Sequence, residues 1–245
     1  MCASRMLRRS GVAVGLVAES LGWKADVIYQ VGIGGKHEEM DVLKEEWPDV
    51  EIIGCEPHPE MDLSGDNYPG IVHPVALSNY EGVAKLYSKK RHKDGSSLHP
   101  HNERDDENYK TIGVPVTTLD RLFPRILPGR AMLWLDCEGS ELAVMQGGAI
   151  FLKHMDVVNI ELTARPPGVG WATPVQMHQH LVAAGFFLQH LHTQRIDSGQ
   201  NDGVYVRPKL FKPEYCCVPH EIIRWEEDKK SLPTMDELMI ERHGE

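Results

Sequence analysis

Apolar and polar positions along the chain alternate between two periods. Val27, Ile28, Tyr29 and Val31 form a short apolar run that predicts a strand. Gly32, Gly34 and Gly35 follow at once. Met40, Leu43 and Trp47 then recur at i, i+3 and i+7, the spacing of one helix face. Pro48 ends that pattern, because a helix interior does not accept a residue without an N–H. A second strand is predicted at Glu51–Cys55, with Glu56 at its tip.

The alternation continues. Residues 71–77 and 83–87 read as strands separated by Gly82. Residues 88–113 are polar with almost no apolar periodicity. A stretch this long inside a compact domain is either functional or disordered. Both readings stay open: a surface loop, or a lid whose polar contacts to substrate would be Ser96, Ser97, His99 and His101. Residues 114–119 read as a strand and 120–123 as a short helical turn, broken by Pro124 and Pro128. Ala131–Leu135 has the character of a fully buried strand. A helix is predicted from Glu141, with Leu142, Met145, Ala149 and Leu152 on one face. Gly147 and Gly148 weaken it by about 1 kcal/mol each. Residues 157–162 form the next strand. Thr173 and Pro174 supply an N-cap and a first-turn proline for a helix that runs to Ala184 and stops at Gly185. Residues 186–192 and 203–207 are the last strands, joined by a loop alone.

Strands that alternate with helices imply an α/β fold, a mostly parallel sheet with helices on both faces. The closing pair, joined without a helix, implies an antiparallel edge. Residues 1–26 read as a helical lead-in, 27–207 as the domain and 208–245 as a C-terminal extension.

Composition narrows the class. A chain of 245 residues, 41% hydrophobic and 25% charged, suits one soluble α/β domain with a sizeable core. Its formal net charge of -10 argues against a nucleic-acid binder, which needs clustered Lys and Arg. No apolar run approaches the roughly 20 residues of a membrane span. Residues 12–18 are too short, and too quickly followed by Glu19, for a signal peptide, and read as a helix. Cys2, Cys55, Cys137, Cys216 and Cys217 contain no CxxC pair and read as reduced thiols of a cytoplasmic protein. Of the HxH pairs, only His190 and His192 fall on one strand face, and no metal site is assigned. Homo-oligomerisation is left open.

In an open α/β sheet, ligands bind beyond the carboxyl ends of the strands. The polar residues there are Gln30, Glu56, Asp136, Glu138 and Glu161. A strand, a glycine turn, a helix and a strand ending in an acid hold a ribose: the glycines admit the ligand, and the carboxylate accepts from its hydroxyls. Several carboxylates around one crevice repel each other unless something cationic sits among them. S-adenosylmethionine has a ribose, a positive sulfur and no phosphates, and its own carboxylate would suit the helix N-terminus after Gly35. Methyl transfer to a hydroxyl requires alignment and a general base. Asp136, Glu138 and Glu161 are the candidates. The competing readings are a tight turn without ligand, helix-terminal acids stabilised by the dipole, and a dinucleotide-dependent oxidoreductase. The last wants a third glycine where the chain has His37.

Taken together, these pieces resemble the FkbM family of methyltransferases over about residues 27–207. They are QVGIGG from Gln30, CEPHP from Cys55, VALSNYEG from Val75, SSL from Ser96, VTTLD from Val116, LDCEGSELAVMQGG from Leu135 and DGVYVRP from Asp202. The resemblance implies a class I methyltransferase fold: a seven-stranded, mostly parallel, Rossmann-like sheet whose last strand is antiparallel. It implies S-adenosylmethionine as cofactor and O-methylation of a hydroxyl on a sugar, glycan or natural product. By position, Gln30, Val31, Gly32, Ile33, Gly34, Glu56 and Pro57 would contact the cofactor. Ala76 and Leu77 would lie by the adenine, and Asp136 and Glu138 would face the methyl group. The chain departs from the family at Gln30, where Asp is usual, and at Gly34 and Lys36. A relative that keeps the fold but only binds a ligand is the alternative.

Overall fold

Strand β1 (Val27–Val31) is buried along its whole length, as its unbroken apolar run requires of a central parallel strand. In the computed structural model, which describes residues 10–35, 38–64, 67–90, 93, 95–100, 108–163, 169–195 and 200–215, it is preceded by helix α1 (Ser10–Leu21). After the glycine turn come helix α2 (Glu38–Glu46) and strand β2 (Glu51–Cys55). Met40 and Leu43 of α2 are buried, as the helical spacing predicts. The expectations for Lys36, His37, His101, Cys2, Cys216, Cys217 and the acidic tail lie outside the described residues.

The run at 71–77 is not one strand. It divides into β3 (Ile71–His73), which pairs with β2, and β4 (Ala76–Leu77), which joins a different sheet. Pro74 stands between them and has no N–H to continue a ladder. β5 (Gly82–Lys89) and β6 (Tyr109–Thr117) reach well into the polar 88–113 segment. Only one face of this antiparallel pair is buried, through Leu86, Val114 and Val116, so its composition reads as loop. A short helix α3 (Leu119–Leu122) follows, its N-terminus capped by Thr118 Oγ1, which accepts the Arg121 amide at 3.1 Å.

β7 (Ala131–Leu135) leads to α4 (Glu141–Gln146), shorter than its apolar spacing predicts. The two glycines end it by close packing: a Cβ on Gly147 would stand 2.1 Å from the Ser78 carbonyl oxygen, and one on Gly148 2.7 Å from Leu119 Cδ1. A separate 3-10 turn, Phe151–His154, precedes β8 (Val157–Thr163). α5 (Pro174–Ala183) begins with a full capping box between Thr173 and Gln176. The chain closes with β9 (Phe187–Arg195) and β10 (Gln200–Val206).

The main sheet has seven strands in the order β3-β2-β1-β7-β8-β10-β9. All pairings from β3 to β8 are parallel, and β10 runs antiparallel to both β8 and β9. The last strand therefore sits one place in from the rim, and β9 is the edge. One face of the sheet packs Tyr29, Leu133 and Ile160 against Phe151 and Leu181. The other packs Ile28, Met132 and Val204 against α1 and α2 through Val14, Ala18, Met40 and Leu43. The small sheet, ordered β4-β6-β5, lies beyond the carboxyl ends of β1 and β2, where Leu77 and Leu86 help to wall a cavity. Among the described residues no helix is long and apolar enough to cross a membrane.

Candidate active site

The cavity holds about 380 Å³ and opens where β1, β2 and β7 end. Its size is that of a small-ligand site. Gly32 adopts φ 80°, and a Cβ there would fall 1.8 Å from the Asp136 carbonyl oxygen. The glycine turn and the turn after β7 are therefore in direct contact, and no side chain fits between them.

Glu56 holds the glycine turn in shape. Its Oε2 accepts the amides of Ile33 and Gly34, each at 3.1 Å, and its Oε1 accepts the His58 amide at 2.8 Å. A carboxylate offers about four acceptor positions, so one position, on Oε1, remains for a ligand. The His58 ring ties the turn after β2 to β5. The Glu60 amide donates to its Nδ1 at 3.1 Å, so the ring proton sits on Nε2 and points to Ser88 Oγ, 2.9 Å away. Burial lowers the proton affinity of this ring, which keeps it neutral.

At the other side lies a set of carboxylates. Asp136 faces the cavity at the tip of β7, with the Glu161 and Glu138 carboxylates close enough to act on it. Enclosure raises its carboxyl well above the ordinary carboxylate range, and the charges of Glu161, Glu138 and Asp202 raise it further. The residue is exposed at the cavity, so repulsion by its neighbours outweighs enclosure. Glu161 is buried and accepts Thr163 Oγ1 at 2.6 Å. Asp202, directly across from Glu161 in the β8–β10 register, is buried too. Glu138 holds φ 53°, a left-handed conformation costly for a side chain with a Cβ. Glu141 is turned inward, its Oε1 accepting the amides of Cys137 and Gly139 at 2.9 and 3.2 Å. Burial raises the Glu141 carboxyl and the Cys137 thiol, and pushes Cys55 up to about 12, so both thiols stay protonated. Among the described residues no group of three or more His, Cys, Asp and Glu is arranged to hold a metal ion.

Comparison with known proteins settles the family. The model of the methyltransferase FkbM domain matches residues 33–188, more than half of the chain. The chain belongs to the FkbM methyltransferase family. No curated protein sequence matches it. Among solved structures, it is similar to magnesium protoporphyrin IX methyltransferase from Synechocystis with bound S-adenosylmethionine, at 8% identity over 79% of this chain and 78% of that one, with a TM-score of 0.42. A second is Aeropyrum pernix fibrillarin in complex with S-adenosylmethionine, at 13% identity over 79% and 74% of the two chains and a TM-score of 0.41. Likenesses this distant add nothing to what the strand order establishes.

Within this FkbM domain, the expected contacts divide. Val31, Gly32, Ile33 and Gly34 wall the cavity, as do Glu56 and Pro57. Ala76 and Leu77 give it apolar wall, and Asp136, Glu138 and Ser96 give it polar wall. Gln30 lies behind the turn: its Oε1 accepts Tyr68 OH at 2.7 Å and its Nε2 donates to the Gly32 carbonyl at 3.3 Å. It shapes the turn and is not part of the wall, because alternation along β1 points it to the opposite face from Val31. Ser97 and His99 are also turned to internal work. Ser97 Oγ donates to the Glu138 carbonyl at 2.6 Å and accepts the His99 amide at 3.0 Å. The His99 ring lies against Gly170, where a Cβ would stand 3.0 Å from its Nδ1, and the Val169 amide donates to the Pro100 carbonyl at 3.2 Å. Together they clasp residues 95–100 over the cavity, where Gly95, Ser96 and Leu98 line it.

Asp202 escapes a reading of the sequence, since Asn-Asp-Gly has the composition of a turn. The signal was the alternation of Asp202, Val204 and Val206 on one face. Ser140 and Lys93, both on the wall, carried no signal of their own.

Proposed function

We propose that this chain transfers the methyl group of S-adenosylmethionine to a hydroxyl of a small-molecule or glycan acceptor. The observation that carries the reading is Asp136 on the cavity wall, its carbonyl packed against Gly32 of the glycine turn and its carboxyl in the field of Glu138 and Glu161. The cavity's chemistry suits the cofactor: apolar wall at Ala76 and Leu77 for the base, a free acceptor position on Glu56 for a ribose hydroxyl, and the carboxylates of Asp136 and Glu138 for a cation. When bound, S-adenosylmethionine supplies an electrophilic methyl group on a sulfonium that leaves as a neutral thioether.

The chain's own part is alignment and proton transfer. Asp136 faces the cavity and accepts the acceptor's hydroxyl proton as that oxygen attacks. Repulsion within the carboxylate set makes Asp136 a stronger base than an ordinary aspartate. Glu161, tied to Thr163, orients it. Residues 95–100, clasped through Ser97 and His99, cover part of the cavity. The free thiols Cys55 and Cys137 support a reducing, cytoplasmic setting.

A second reading draws on Glu56, most of whose acceptor capacity is already used within the protein. On that reading the chain binds a ligand without catalysis. Incubation with methyl-labelled S-adenosylmethionine and a panel of hydroxylated acceptors tests the two. Label transfer that Asp136→Asn abolishes supports the enzyme, and cofactor binding with no transfer to any acceptor supports the binding protein.

A further inference from the structure

Among the described residues, five amides at or beside this cavity are committed. Those of Ile33 and Gly34 donate to Glu56, that of Gly32 to the Cys55 carbonyl, and those of Cys137 and Gly139 to Glu141. Side-chain donors on the wall have internal partners as well. Lys93 donates to Glu60, and Ser96 Oγ donates to the Lys93 carbonyl.

Ser140 differs. It is 3% exposed and forms part of the cavity wall, yet its Oγ has no hydrogen-bond partner. It occupies the N-cap position of α4, where a serine ordinarily accepts a backbone amide. Its backbone, at φ -93° and ψ 0°, is not the extended form a cap requires, and no capping bond is made. A buried hydroxyl left so lowers stability unless a ligand supplies its partner.

We infer that Ser140 Oγ binds the α-carboxylate at the methionine end of S-adenosylmethionine, an assignment that rests on the cofactor reading above. That end is an anion entering a cavity walled by Glu56, Asp136 and Glu138, all of which repel it. It needs a donor, and the amides above are already in use. Ser140 is also in the right place. Its amide donates to the Cys137 carbonyl at 3.4 Å, and a Cβ on Gly32 would stand 3.1 Å from Cys137 Cα. Ser140 therefore adjoins the point where the glycine turn meets the turn after β7. Rotation about its Cα–Cβ bond moves Oγ among staggered positions, with no hydrogen bond to break.

Calorimetric titration of the full chain and of Ser140→Ala tests this with two nucleosides. S-adenosylhomocysteine carries the amino-acid end, and methylthioadenosine keeps the adenine, ribose and thioether but lacks it. Ser140→Ala should weaken S-adenosylhomocysteine roughly tenfold, the loss of one charge-assisted hydrogen bond. It should leave methylthioadenosine unchanged and the melting temperature equal or higher, because no internal bond is lost. Unchanged affinity for S-adenosylhomocysteine overturns the assignment, and so does an equal loss for both nucleosides. A parent chain that binds neither overturns the cofactor reading, and this assignment with it.

Discussion

Glu56 and Gly34 are joined across the cavity rim: the Gly34 amide donates to Glu56 Oε2 at 3.1 Å. The residue expected to hold a ribose thus also builds the turn that the cofactor must approach. Replacement by Gln would turn an NH₂ group toward backbone amides that need an acceptor. We expect Glu56→Gln to lower stability by about 1–3 kcal/mol in urea unfolding and to weaken cofactor binding with it. A variant that keeps full stability would show that the amides find other acceptors.

Gly32 is fixed by contact as well as by conformation. At φ 80°, with the Asp136 carbonyl oxygen 1.8 Å from where a Cβ would lie, alanine cannot enter without parting the two turns. Gly32→Ala should cost about 3 kcal/mol or more, read as a lowered urea midpoint.

Asp136 sets a pH dependence with a definite sign. Between the ordinary value of 3.8 and its raised value, the folded chain keeps a proton that the unfolded chain has lost. Its contribution to stability is complete below 3.8 and is lost as pH rises through that window. The catalytic rate should climb over the same window, as the base is freed. Asp136→Asn should flatten the dependence of melting temperature on pH, raise the melting temperature at neutral pH, and lower methyl transfer by roughly 10²–10⁴-fold.

Glu138 combines strain with charge. Its φ of 53° suits asparagine better than glutamate. Glu138→Asn should raise stability by about 1 kcal/mol. Because Glu138 is one of the charges raising Asp136, the variant should also move the acidic limb of the pH–rate profile to lower pH.

Much of this was legible in the sequence, for physical reasons. The apolar runs at Val27–Val31 and Ala131–Leu135 belong to strands buried on both faces, and burial leaves its mark on composition. The acids at Glu56 and Asp136 follow those strands directly, so their place at the sheet tips came with the strands. What stayed hidden depends on tertiary contact. Gln30 and Glu56 bond within the fold, Ser97 and His99 clasp a loop to the backbone of distant residues, and the polar β5–β6 pair is a strand only because one face meets the cavity. The break of helix α4 at Gly147 likewise needs the Ser78 carbonyl, 69 positions earlier in the chain and 2.1 Å from a Cβ there.

The most direct test of the central claim is a crystal structure of the chain grown with S-adenosylhomocysteine. The account predicts its adenine against Ala76 and Leu77, a ribose hydroxyl on Glu56 Oε1, and its sulfur facing Asp136. A saturated crystal with the nucleoside bound elsewhere, or with the cavity filled by the protein's own side chains, would contradict it.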